Sequence, residues 1–227
     1  MGREATPVRR RSYRDLPATY AILVILAIMY VLEGGLGGSP QLMRMVDLGA
    51  QVNVLVLQGQ WWRIFTAIFL HLNWLHILVN GYSLFVMGEL VEPAFGSRRF
   101  VVVFLLGGIM GGLLALVTYP PYTVLVGASG AIFGLLGATG VIALEAQRPV
   151  RSYLLRWLGS ILVLNLALDF MYPGIGVWDH VGGLIGGFLA AYMLGGVHRL
   201  SGWPSRAAGV AYVVVCVGLI AFAHIYG

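Results

Sequence analysis

Ser129 lies in the run Gly127-Ala128-Ser129-Gly130-Ala131-Ile132-Phe133-Gly134, a hydroxyl at the glycine-rich start of an apolar segment. His180 opens a later apolar segment in Asp179-His180-Val181-Gly182-Gly183, and His71, His76 and Asn80 stand upstream of both. A serine and a histidine that meet where water is scarce suit nucleophilic chemistry, with the imidazole taking the hydroxyl proton as the oxygen attacks a carbonyl. His76 and Asn80 are spaced i, i+4, so on a helix they share a face. Both can donate hydrogen bonds, either to a developing oxyanion or within a structural polar network. Free N–H groups at a helix start beside Ser129 would serve the same oxyanion.

Each residue taken alone has a plainer reading. A serine in an apolar helix more often bonds back to the i−4 carbonyl or fills space. A lone His180 could be a satisfied core histidine or a metal ligand. Phe133, one turn after Ser129, could stack on the His180 ring or be an ordinary core or lipid aromatic. On a helix His71 would point away from His76, toward a loop or water. The His71 and His76 spacing lacks the His-Glu-x-x-His pattern of a zinc protease, so no metal and no cofactor are expected. Asp179 invites a triad, but adjacent helical residues point about 100° apart. A Ser129–His180 dyad is therefore expected, with Asp179 at the membrane surface or capping the helix. His198 and His224 stand at segment ends, with no partner that spacing names.

These residues need elements to carry them. The chain has 227 residues, 59% hydrophobic and 10% charged, against about 25% charged in soluble domains. That composition predicts an all-α integral membrane protein. The apolar runs are too long, and too free of strict alternation, for a membrane β-barrel. Seven spans are expected near 18–33, 66–91, 99–119, 127–145, 152–170, 179–197 and 207–226, each approaching the roughly 20 residues that cross a bilayer. Residues 1–17 read as a basic cytoplasmic tail, 18–197 as a six-span core, and 198–227 as a linker with an extra C-terminal span. The first run reads as a retained anchor with no cleavage site. Residues 34–63, with Gly34-Gly35-Leu36-Gly37-Gly38-Ser39-Pro40 and Gln60-Trp61-Trp62-Arg63, read as an interfacial loop with short helices. Cys216 is the only cysteine, so no intrachain disulfide is expected.

The net charge of +5 comes with arginines clustered at segment ends, which points to bilayer topology and not to nucleic acid. Arg3, Arg9, Arg10, Arg11 and Arg14 set the N-terminus in the cytoplasm; Arg98 and Arg99, Arg148 and Arg151, and Arg199 and Arg206 follow the second, fourth and sixth spans. Arg44 and Arg63 in the first outer loop are exceptions. Ser129, His180, His76, Asn80 and His71 then fall near the outer ends of spans two, four and six. Gly130, Gly134 and Ala138 recur every four residues, and Gly183 and Gly187 follow His180 on one face. Such small residues let helices approach closely. Packing alone is the commoner use of this spacing, and Gly107, Gly108, Gly111 and Gly112 illustrate it.

Together these motifs resemble the rhomboid family of intramembrane serine proteases. Gly127-Ala128-Ser129-Gly130 is similar to its Gly-x-Ser-Gly motif, and His71 to Asn80 to its His-x4-His-x3-Asn motif. His180, Gly183 and Gly187 match His-x2-Gly-x3-Gly, and Trp62-Arg63 matches the Trp-Arg pair of the first loop. The likeness continues through Glu92 to Arg99 and covers roughly residues 45 to 197. It implies a six-helix core plus a seventh helix, Ser129 as nucleophile and His180 as base. It implies an oxyanion hole from His76, Asn80 and the Ser129 amide, and transmembrane proteins as substrates. Phe133 stands where the family commonly has tyrosine, which keeps a stacking face without a hydroxyl. Two other readings compete. One is a non-catalytic membrane binder or chaperone, from which Ser129 or His180 would typically be missing. The other is a transporter, for which no duplicated half is visible. The tails and the lack of a transit-like leader suggest a prokaryotic plasma membrane.

Overall fold

The computed structural model describes residues 16–34, 40–171, 176–198 and 202–226, with backbone alone for 40, 41 and 164–171. The arginines of the tail, Arg199, and the glycine run from Gly35 to Ser39 lie outside the described residues. Among the described residues the regular structure is helical apart from one short β pairing, as expected of an all-α membrane protein. Seven helices have sixteen residues or more: α1 Pro17–Leu32, α5 Trp74–Phe95, α6 Ser97–Thr118, α7 Ser129–Glu145, α8 Arg148–Met171, α9 Val177–Met193 and α10 Trp203–Tyr226. Of these, α5, α6 and α10 are long and apolar enough to cross a membrane, and α1 and α7 are shorter apolar helices. The first loop carries the short helices α2 Pro40–Asp47, α3 Asn53–Leu57 and α4 Arg63–Thr66.

One span starts later than its hydropathy suggested. The expected span 66–91 begins as a helix only at Trp74, because the Asn73 side chain caps it by accepting from the His76 amide at 2.9 Å. Ala67–Phe69 forms a 3-10 turn and Leu70 is extended. His71 therefore stands before α5 and not within it. Hydropathy cannot see this start, because the residues before the cap are as apolar as those after it.

The centre of the bundle is α6, α7 and α9, packed through glycine. A Cβ on Gly107 would lie 2.7 Å from the Gly134 Cα, and one on Gly182 would lie 2.9 Å from the Gly111 Cα. Gly183 and Gly187 press on the Gly130 and Gly134 carbonyls, leaving no room for a side chain. Lipid is as apolar as a leucine, so helix association there depends on such close van der Waals contact. Around this centre α8 lies on α7, α10 covers α9 and α6, and α1 lies on α5. The start of α1 is held by Glu92 of α5, whose carboxylate accepts from the Ala18 amide, the Thr19 amide and the Thr19 hydroxyl at 3.0, 2.9 and 2.6 Å. A carboxylate from one helix thus satisfies the amides left open at the start of another.

Two features were not legible in the periodicity. Strand β1 (Gln51–Val52) pairs antiparallel with β2 (Val124–Leu125), matching Gln51 with Leu125 and Val52 with Val124. This ties the first loop to the segment entering α7. The end of α10 also reaches that loop: the His224 ring lies 5.5 Å from Trp61, and Ala223 packs with Val56, Ile64, Leu113 and Leu116. The Tyr212 hydroxyl donates to the Leu106 carbonyl at 2.9 Å. His198, at the other segment end, donates its backbone amide to Glu145 at 3.1 Å.

Candidate active site

The starts of α5, α7 and α9 meet at one end of the bundle. Gly127 makes the approach to α7, with φ +130, a region side chains rarely adopt. Its amide donates to the Ala67 carbonyl at 3.0 Å. A Cβ there would lie 2.8 Å from the His76 Nε2 and 3.5 Å from the Asn80 Nδ2. The turn before Ser129 therefore rests on the i, i+4 pair of α5. Asn80 is buried, and its Nδ2 has no hydrogen-bond partner among the described residues. A buried amide donor left open carries a desolvation penalty that a ligand oxygen would relieve.

Ser129 is the first residue of α7 and half-buried. It lines a cavity of about 520 Å³ with His76, Asn73, Gln51 and Asp179. One turn along α7, the Phe133 ring stacks on the His180 ring, with centroids 4.2 Å apart and planes 4° from parallel. The glycines press α9 onto α7 below this stack, Gly183 on Gly130 and Gly187 on Gly134. His180 itself is buried. Ser129, His76, Gly127 and Gly130 thus line the cavity, Asn80 lies against Gly127, and Phe133, His180, Gly183 and Gly187 belong to the α7–α9 seam that runs on from Gly130.

Trp62 and Arg63 sit apart, inside the first loop. The Arg63 guanidinium donates to the Val46 and Ala50 carbonyls at 2.6 and 3.0 Å and to the Gln60 side chain at 2.7 Å. Its carbon lies 4.7 Å over the Trp62 ring, while Trp62 is exposed. The loop is organised around this buried arginine, which has few other ways to satisfy its donors.

Two placements differ from the sequence reading. His71 does not point away from His76: the rings meet edge-on with centroids 5.1 Å apart. The reason is the extended backbone before α5, which voids the helical angle between them. Asp179 makes no cap on its own helix among the described residues. Its carboxylate lies in the seam between α6 and α7, against Gly111 and Gly130. Spacing along one helix says nothing of such a contact between helices.

Glu33 carries no signal in the spacing, yet it is fully buried beside the site. Just past the end of α1, its Oε2 accepts from the His71 amide at 3.0 Å. Burial pushes its carboxyl up to about 7, partly opposed by that hydrogen bond. His71, between the 3-10 turn and α5, is held down to about 3 by burial and then by the neighbouring His76. Neither ring nitrogen of His71 has a hydrogen-bond partner among the described residues. Nor do three or more His, Cys, Asp or Glu side chains converge there as a metal site.

A model of the rhomboid domain matches residues 58–197, more than half of the chain. The chain belongs to the rhomboid family. It is 40% identical over 181 residues to rhomboid protease GluP of Bacillus subtilis, an alignment covering 78% of this chain and 34% of that protein. It is 32% identical over 180 residues to the rhomboid-named YdcA of the same bacterium, covering 79% of this chain and 89% of that one. RHOMBOID-like protein 5 of Arabidopsis thaliana is 35% identical over 159 residues, covering 69% and 51%. The chain thus spans about a third of the length of GluP and nearly all of YdcA. Family membership and the apolar helices together make this rhomboid an integral membrane protein.

Proposed function

We propose that this rhomboid is an intramembrane serine endopeptidase that hydrolyses peptide bonds in or near transmembrane segments of other membrane proteins. The observation that carries the reading is the convergence at the cavity. Ser129 at a helix start and His76 line one cavity, the open Asn80 amide lies against Gly127 at its wall, and His180 is stacked flat on Phe133, one turn along the helix that Ser129 begins. The relatives named as rhomboid proteases support the same reaction class.

Ser129 Oγ attacks the scissile carbonyl carbon while His180 takes the hydroxyl proton. The carbonyl oxygen becomes an oxyanion held by His76, Asn80 and the Ser129 backbone amide. The tetrahedral species collapses to a serine ester as His180 passes its proton to the leaving amine. Water from the cavity, deprotonated by His180, then attacks the ester. A second oxyanion forms and collapses, and the proton returns to Ser129. The arginine pattern favours a cytoplasmic N-terminus and a site opening to the outer side of a plasma membrane.

The test is fluorophosphonate labelling and cleavage of a model transmembrane substrate by protein in liposomes, beside Ser129→Ala and His180→Ala. Labelling that maps to Ser129, with label and cleavage lost in both variants, is expected. Cleavage that survives Ser129→Ala would sink the mechanism.

A further inference from the structure

Asp179 is peptide-bonded to His180, yet its side chain leaves α9 and enters the seam between α6 and α7. A Cβ on Gly130 would lie 2.6 Å from each of its carboxylate oxygens, and one on Gly111 would lie 2.5 Å from Oδ1. The carboxylate therefore lies against the first turn of α7, beside the Gly130 backbone N–H. That amide is one of those a helix start leaves without an internal acceptor. The residue preceding α7, Ala128, supplies no side-chain cap. Gly130 and Gly111 are therefore small for a reason besides helix packing: a methyl group at either position would occupy the place of the carboxylate.

We propose that Asp179 is a positioning residue that caps α7 from α9 and sets Ser129 against His180. The reading rests on Ser129 as nucleophile and His180 as base. One short path then joins the two halves of the dyad: His180, its peptide bond to Asp179, the carboxylate, and the Gly130 amide beside Ser129. Glu92 makes the same kind of cap on α1, so the chain uses this device twice. By taking the Gly130 N–H, the carboxylate leaves the Ser129 N–H as the amide open to an oxyanion. Asp179 is only half-buried because it also borders the cavity.

The test compares Asp179→Ala with Asp179→Asn, which keeps an oxygen for the Gly130 amide, in the full chain in liposomes. Asp179→Ala is expected to slow labelling of Ser129 and lower kcat by about tenfold, with KM within about twofold, as loss of a cap at the nucleophile implies. Asp179→Asn should recover to within about threefold of wild type. Amide hydrogen exchange over residues 129–132 should quicken in Asp179→Ala while that of α6 stays unchanged. Wild-type labelling and exchange in Asp179→Ala would overturn the proposal. So would equal losses in both variants with exchange quickened throughout α6, α7 and α9, the mark of general packing damage. If the wild type itself fails to label, the Ser129 reading falls, and the exchange measurement still decides whether Asp179 caps α7.

Discussion

Replacing Phe133 tests the geometry of the proposed dyad without touching either of its members. The ring lies 4.2 Å from the His180 ring at 4°, and is itself 8% exposed. An aromatic pair of this kind contributes about 0.5–1.5 kcal/mol beyond its area. If that energy holds the imidazole in its working orientation, its loss lowers kcat by about 2- to 13-fold, at 1.36 kcal/mol per factor of ten. KM should stay near its wild-type value, because the contact is to the base and not to substrate. Phe133→Tyr keeps the flat face, Phe133→Leu keeps most of the volume, and Phe133→Ala keeps neither. Steady-state cleavage in liposomes, with the rate of fluorophosphonate labelling beside it, should rank them Phe, Tyr, Leu, Ala. Phe133→Ala also opens a cavity costing about 3–5 kcal/mol in a soluble core, so thermal midpoints must be measured alongside. If Leu matches Phe in kcat, volume and not stacking is what matters, and the argument for an oriented base fails.

Asn80→Ala should lower kcat by about 100- to 1000-fold, the range for losing one oxyanion donor, with little change in thermal midpoint because Nδ2 has no partner to lose among the described residues. A kcat near wild type would remove Asn80 from the oxyanion site. Gly187→Ala forces a methyl group onto the Gly134 backbone and should abolish the stable fold. Gly218→Ala, in α10 with nothing within 4 Å of the new carbon, should instead stabilise by up to about 1 kcal/mol; thermal unfolding in detergent reads both. Glu33 has a folded pKa raised from 4.5 to about 7. Its protonated form favours folding, so its contribution is full below 4.5 and lost as pH rises through 7. The thermal midpoint of Glu33→Gln minus that of wild type should therefore grow from about pH 5 to about pH 8. A constant difference would contradict a carboxyl buried in its neutral form.

Residue type and spacing alone determined the membrane class, the order of the long helices and the placing of Ser129 and His180 near helix starts. Apolar runs must cross a bilayer as helices, and the i, i+4 placement of His76 and Asn80 is a property of one helix whatever surrounds it. The small-residue spacing of α7 and α9 likewise pointed to their contact, since close approach needs missing side chains. Other features depended on the tertiary structure. The start of α5 at Trp74 turns on one Asn73 hydrogen bond, and it brings His71 onto His76 by way of extended backbone. Asp179 reached Gly130 and Glu33 reached His71 across helices, and α10 met the first loop through His224 and Trp61. Periodicity describes which face a residue shares with its own helix; which neighbour that face meets is decided only when all the helices pack at once.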